Sequence, residues 1–286
     1  MMILVTGAAG KTGQAVTRAL ASRGAKVRAL VYRPEQAAWL QKLGAPDVAI
    51  GDMRDEAVFR KAMQGIRAIY HICPNMNPDE ESIGRLAIAA ARAVGVERFV
   101  YHSVLHPQTE KMPHHWHKLR VEEMLLESGL AWTILQPAAY MQNILAGWTA
   151  IVEQGVYRVP YSVGTRLGMV DLEDVATVAA IVLTEPGHFG AIYELVSLEV
   201  LTQTEVAAVL SECLGRPVQA EEIPLDEWAK NAQAAGLGAY QVESLLKMFR
   251  YYAEYHFWGN AQALGWLLGR PPTGFRAFVE RVTEKQ

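Results

Sequence analysis

The sequence predicts an α/β protein, a doubly wound parallel sheet followed by a smaller, mostly helical C-terminal lobe. Three observations carry that prediction. Short apolar runs alternate with helical stretches through the first half, and the first run ends in a glycine-rich turn. After Pro137 the rhythm loosens into helices rich in aromatic residues. Composition agrees: 286 residues, 51% hydrophobic and 20% charged, can bury a large core.

Met2–Thr6 is a short apolar run closed by Gly7, as a buried parallel strand would be. Gln14–Arg23 sets Ala15, Val16, Ala19 and Leu20 at helical spacing and stops at Gly24, a C-terminal cap signal. Lys26–Val31 is the second strand, and Pro34–Leu43 a helix with proline in its first turn. Val48–Ile50, Ala68–Ile72, Arg98–His102 and Trp132–Leu135 continue as strands. Glu56–Met63, Glu80–Ala93 and Trp116–Ser128 are the helices between them. Beyond Pro137, Tyr140–Glu153 reads as helical, Gly155–Gly168 as turn-rich, Leu172–Leu183 as a helix and Ile192–Val196 as a strand. Helices then follow near Thr204–Leu214, Leu225–Ala235, Gln241–Tyr255 and Gly274–Val282. The expected division is a sheet domain over residues 1–153, with 169–184 packing back on it. A substrate- or partner-binding lobe over 154–286 is expected to close over the strand ends.

The formal net charge is −3 with basic residues scattered, so no footprint for nucleic acid or an anionic membrane is expected. Cys73 and Cys213 stand far apart with no CxxC or Cys/His spacing, which argues against a disulfide framework or zinc. The apolar start is too short for a signal peptide, and no run approaches the roughly 20 residues of a membrane helix. A reducing, cytoplasmic setting is expected.

The strongest chemical signal is Thr6-Gly7-Ala8-Ala9-Gly10-Lys11-Thr12-Gly13 between a strand and a helix. A dinucleotide pyrophosphate needs backbone N–H donors at a helix start and no side chain in the way. Gly7 would make the tight turn, Gly10 would admit the phosphate, and Gly13 would let the helix lie close to the strand. Thr6, Ala9, Lys11 and Thr12 share this Rossmann-like contact; the plainer alternative is an ordinary βα turn. A Walker loop is excluded, because Val5 stands where its upstream glycine belongs. At the end of the second strand an NAD site usually carries an acid, but this chain reads Val31-Tyr32-Arg33-Pro34. Arg33 suits a 2′-phosphate, which favours NADP(H) over NAD(H), unless it is only a solvated loop charge. In Gly51-Asp52-Met53-Arg54-Asp55, Asp52 could accept from the adenine amino group with Met53 against the ring, while Asp55 caps the next helix.

These segments together resemble the NmrA-like family of atypical short-chain dehydrogenases/reductases. The GxxGxxG spacing, Gly51–Asp55, the run from Lys118 through Glu122 to Leu130, and Thr133–Pro137 carry the likeness in order. Tyr140-Met141-Gln142-Asn143, Val170–Ala176 and Leu201-Thr202 complete it, so that it spans residue 2 to about 217. The resemblance implies a Rossmann domain with a small C-terminal substrate lobe. It also implies either NADPH-dependent reduction of quinones and other conjugated substrates, or dinucleotide sensing for a partner protein.

Ordinary short-chain dehydrogenases place Tyr-x-x-x-Lys on one helix face, the lysine holding the nicotinamide ribose and the phenol donating a proton. Lys118 matches the lysine, but the tyrosine position is His114. His114, titrating near neutrality, is the candidate proton donor, and Ser103 stands where the substrate-orienting serine is kept. For both, a plain surface or loop role is the alternative. His102, His106, His114, His115 and His117 lack a carboxylate or thiol that would complete a metal pattern, so no metal is expected. Cys73 is expected beside the dinucleotide, as a packed residue rather than a reactive thiol. Pro137 and Tyr140 are expected to border the nicotinamide. Tyr140, Trp148 and the aromatics of Phe249–Trp258 line an apolar pocket or simply fill a core. Asp171 and Asp174 are expected to shape a helix start. The leading reading is an NADPH-dependent reductase of an apolar, conjugated acceptor. A non-catalytic NADP(H) sensor with a protein partner stands second, and an isomerase with a permanently bound cofactor third.

Overall fold

The computed structural model describes residues 1–284. In chain order its elements are β1 (Met2–Val5), α1 (Lys11–Ser22), β2 (Lys26–Val31), α2 (Ala37–Leu43), β3 (Asp47–Ile50), α3 (Glu56–Ala62) and β4 (Ala68–His71). Next come α4 (Glu80–Val94), β5 (Arg98–His102), α5 (Pro113–Leu126), β6 (Trp132–Pro137), β7 (Ala139–Tyr140), β8 (Val156–Val159), β9 (Arg166–Val170) and α6 (Leu172–Thr184). The chain continues through β10 (Ala191–Leu195), β11 (Val200–Thr202), α7 (Gln203–Leu214), β12 (Gln219–Glu222), α8 (Leu225–Ala234), α9 (Ala239–Tyr255), α10 (Gln262–Leu268) and α11 (Phe275–Thr283).

Two compact units result. One comprises residues 1–110, 114–136 and 175–193; the other comprises 111–113, 137–174 and the described residues from 194 onward. The first is a Rossmann-like α/β fold. Its seven-stranded sheet has the order β10-β6-β5-β4-β1-β2-β3, so the order reverses direction between β1 and β4. Register pairs Val5 with Ala29 of β2 on one side and with Tyr70 of β4 on the other. One face is covered by α4 and α5. There Leu4, Ile69, Phe99 and Ile134 from four strands meet Ile83, Ala87, Val121 and Leu125, all buried. Strands buried on both faces explain why these runs read as continuously apolar.

The second unit carries the C-terminal helices together with a three-stranded sheet, β11-β9-β7, and a two-stranded pair, β12-β8. Its core gathers Met141, Trp148, Tyr157, Leu210, Phe275 and Phe278. Here local patterning misleads. The helix expected over Tyr140–Glu153 is instead the short strand β7, a 3-10 segment over Met141–Gly147 and a π turn over Ala150–Gln154. Gln142 anchors that segment: its amide donates to Asp171 Oδ1 at 2.7 Å, and its oxygen accepts from Leu172 N at 3.1 Å. The stretch read as turn-rich, Gly155–Gly168, holds β8 and most of β9. Their partners β12 and β11 lie far along the chain, so no local signal announces them. β11, β12 and α10 were likewise not expected. α5 begins at Pro113 rather than Trp116, with proline in the first position, where its missing N–H costs nothing. Pro34 opens a 3-10 turn over Pro34–Gln36 before α2, in place of one continuous helix. Among the described residues no helix is long and apolar enough to cross a membrane.

Candidate functional site

The β1–α1 junction lies at the point where the strand order reverses. Gly7 turns the chain with φ +56°, a conformation that disfavours a side chain, and a Cβ there would lie 3.0 Å from Ile72 O of the neighbouring strand end. Gly13 sits against the turn itself, where a Cβ would come within 2.4 Å of Gly7 O and 2.6 Å of Ala8 Cα. Gly10 caps α1 in extended conformation without a side-chain hydrogen bond, and no acidic residue occupies the first turn. The positive end of the helix is therefore open to an anion. Lys11 is exposed beside it, and Thr12 is buried. Thr6 does not face this opening. Its hydroxyl donates to Ile72 O at 2.9 Å, accepts from Ile72 N at 2.8 Å, and lies 3.1 Å from His71 Nδ1, so it ties together the ends of β1 and β4.

A cavity of about 520 Å³ opens at the junction, with Gly7, Ala9 and Gly10 on its wall. Tyr32 and Gln36 contribute from the end of β2, Asp52, Met53 and Arg54 from the turn after β3, and Pro74, Asn75 and Asn77 from the loop after β4. Arg33 is absent from the wall. It stands exposed at the start of the 3-10 turn, where its backbone N–H donates to Gln36 Oε1 at 3.1 Å. Among the described residues no carboxylate holds its guanidinium. The arginine on the wall is Arg54, whose Nη2 lies 2.7 Å from Asp52 Oδ2. Asp52 also accepts from Arg54 N at 2.9 Å, and the Arg54 hydrogen bonds hold its carboxyl below the usual range. The acceptor expected for an adenine amino group is thus already engaged by its neighbour. Asp55 caps α3 by accepting from Ala57 N at 2.8 Å. Cys73 points into the core, where burial pushes its thiol up and leaves it inert; Pro74 and Asn75 meet the cavity in its place.

The catalytic candidates sit on β5 and α5. Lys118 Nζ donates to Glu80 Oε1 at 3.0 Å and to His102 O at 3.3 Å. Ser103, expected to meet substrate, is buried and donates to Glu122 Oε1; Gln136 Nε2 donates to both oxygens of the same carboxylate, at 3.0 and 3.1 Å. Burial raises the Glu122 carboxyl despite those hydrogen bonds. His114 does not titrate near neutrality. Burial, with the Lys118 charge nearby, lowers it to about 4, and its Nδ1 has no hydrogen-bond partner among the described residues. It is a neutral, enclosed imidazole at physiological pH, not a charged proton donor.

In the second unit, Pro137 is buried at the end of β6 and Tyr140 is half-buried in β7. Trp148 belongs to that unit's core. Phe249 packs edge-on against Trp228 with ring centroids 4.7 Å apart, and Tyr252 lies 4.8 Å from Phe257. Asp171 accepts from Glu173 N at 3.1 Å at the start of α6, and Asp174 takes Thr273 N at 2.6 Å and Arg270 Nη2 at 2.5 Å.

Glu80, Gln36 and Asn75 were not singled out from sequence, and Glu122, Gln136 and Tyr32 were quoted there only within longer segments, without a role. Arg54 lay within a recognised segment without a role. No local pattern joins Glu80 to Lys118, because only the packing of α4 on α5 does so.

Residues 1–270 match the model of the NmrA-like family. The chain is similar to an NAD(P)H azoreductase of Xenophilus azovorans, 30% identical over 281 residues, 98% of this chain and 97% of that one. It is also similar to quinone oxidoreductase 2 of Escherichia coli, 29% identical over 95% of each chain. Among solved structures it resembles the NADPH-dependent quinone oxidoreductase of Escherichia coli complexed with NADPH. The TM-score there is 0.84 at 29% identity, covering 99% of this chain and 100% of that one.

Proposed function

The chain belongs to the NmrA-like family, and on that premise we propose that it is an NADPH-dependent reductase of an apolar, conjugated acceptor, quinone- or enone-like. One observation carries the reading. A helix start capped by glycine alone, free of acidic residues, opens on a cavity of about 520 Å³ at the reversal point of a parallel sheet. The full-length likeness to an azoreductase and a quinone oxidoreductase supports the acceptor class.

In this reading the backbone of Gly7 to Gly13 receives the pyrophosphate, and Met53 lies along the adenine. Arg33, exposed and without a carboxylate partner among the described residues, swings onto the 2′-phosphate, with Arg54 as the nearby cation already on the wall. Lys118 holds the nicotinamide ribose. The bound nicotinamide supplies the hydride. His114 is neutral at physiological pH, so the protein holds no charged imidazole ready for the product. Hydride transfer to a quinone leaves a hydroquinone anion whose charge is spread over the ring, so it forms without a protein acid and is protonated afterwards from water. A simple alkoxide is too basic to form unless an acid protonates it as the hydride arrives.

A panel of quinones with NADPH, followed at the nicotinamide absorbance, is expected to show oxidation by at least one acceptor. A flat signal with every acceptor rejects the reductase. Tight NADPH binding without turnover would instead favour a sensor acting through a protein partner. Arg33→Ala is expected to weaken NADPH binding by roughly tenfold or more, the value of a charged hydrogen bond, and to leave NADH binding unchanged. Equal NADPH affinity in that variant would remove Arg33 from the site.

A further inference from the structure

Glu80 is a carboxylate with only 3% of its surface exposed. It opens α4, where the helix dipole favours an anion. Its Oε1 accepts from Tyr101 Oη at 2.8 Å and from Lys118 Nζ at 3.0 Å. The pair is built by helix packing. Gly84, one turn along α4, leaves room for Val121 of α5; a Cβ there would lie 2.7 Å from both Val121 methyls. That close approach brings Glu80 opposite Lys118, one turn before Val121. Ile83, on the adjoining turn of α4, reaches the cavity wall.

An ammonium group has three donors. Lys118 spends one on Glu80 and one on His102 O and lies 5.5 Å from the centre of the Tyr101 ring, and among the described residues the third donor has no hydrogen-bond acceptor. Burial of this ion pair is nearly complete, with side-chain exposures of 12% and 4%. A buried pair held by a further phenol is costly to build as mere stabilisation, since apolar residues of the same size do as well.

We propose that Glu80 is a positioning residue for Lys118: with Tyr101 and His102 O it fixes the ammonium so that one donor remains for a ribose hydroxyl of the dinucleotide. The proposal rests on the cofactor reading above and deepens it. It assigns to Glu80, on the neighbouring helix, the restraint that holds the lysine in place. It also makes the charge of the site explicit: the lysine is neutralised, so it selects a hydroxyl rather than competing for phosphate.

The test is a four-protein cycle of wild type, Glu80→Gln, Lys118→Met and the double variant, reading NADPH affinity by titration calorimetry and folding by melting temperature. The glutamine keeps the volume and leaves an oxygen for Tyr101. Glu80→Gln is expected to weaken NADPH binding by about tenfold, as losing a charge-assisted restraint does, and to add nothing in the Lys118→Met background. An unchanged affinity in Glu80→Gln overturns the proposal, and so does an equal loss in both backgrounds. Should Glu80→Gln fail to fold, Tyr101→Phe loosens the same carboxylate from its other side, and its loss must likewise vanish in the Lys118→Met background. Wild-type protein that binds neither dinucleotide sinks the cofactor reading and this proposal with it. Binding by the wild type with Lys118→Met unchanged sinks only the lysine and its carboxylate.

Discussion

Gly13 is the tightest point of the first βα junction, since the atoms a side chain would meet are backbone atoms of Gly7 and Ala8 that cannot yield. Gly10 is less confined, with only Gly7 O at 3.3 Å from a built Cβ. Gly13→Ala is therefore expected to lower the melting temperature clearly more than Gly10→Ala, and to abolish dinucleotide binding by moving the start of α1. Similar melting temperatures for the two variants would contradict the geometry. At this scale the sequence was informative wherever a residue's role is imposed by its own backbone. Gly7 and Gly13 were legible for that reason. The surroundings of Ser103 and His114 were not, because what a side chain meets depends on which partners tertiary packing sets beside it. Ser103 found Glu122, and His114 found an enclosed space.

Among elements, the seating of α4 on α5 has the most to do with the candidate site. Gly84 permits it, and the chain on either side supplies Ile83, Ala87 and Ala91 to the shared core. Gly84→Ala is expected to destabilise the protein by about 1–3 kcal/mol, the usual effect of overpacking. Adding Val121→Ala should recover most of that loss, because it removes the two methyls in conflict. A melting experiment on the single and double variants checks this; a double variant no more stable than the single one would show that the helices are separated by something else. The alternation of β1 to β6 with the helices between them was legible because each strand is apolar along its length. The second unit's small strands were not. β8 and β9 find their partners more than 30 residues later in β12 and β11, so their pairing leaves no local trace.

Across the whole molecule, the buried imidazoles tie stability to pH. Burial lowers His71 to about 4, His102 to about 3 and His114 to about 4, and His115 is also lowered. His71 accounts for itself: its Nδ1 meets a Thr6 hydroxyl whose own proton goes to Ile72 O, so Nδ1 carries the hydrogen and Nε2 is left without one and, among the described residues, without a partner. An unfolded histidine binds a proton near pH 6.5, whereas these folded ones do not until about pH 4 or below. Their contribution is thus fully present above about pH 6.5 and is lost as pH falls through the folded values. Glu122, raised by burial, acts in the opposite direction above the usual carboxylate range. The histidines outnumber it. The melting temperature is expected to decline from about pH 6.5 downward, and His71→Asn should flatten the slope. A melting temperature that holds level between pH 7 and 4.5 would count against the buried, neutral assignment.

The sequence by itself determined the α/β class, the alternation along the chain of the first six strands with helices, the glycine junction and the family. Each of these rests on signals that are local in the chain: a period, a turn residue, a motif and its spacing. Only the tertiary structure decided which charged groups face one another. The chain separates Glu80 from Lys118 and Ser103 from Glu122 and Gln136, and folding brings them to hydrogen-bond distance in a medium that excludes water. Desolvation and partner choice are properties of that packed interior, so the protonation of His114 and the engagement of Asp52 by Arg54 could be read only there.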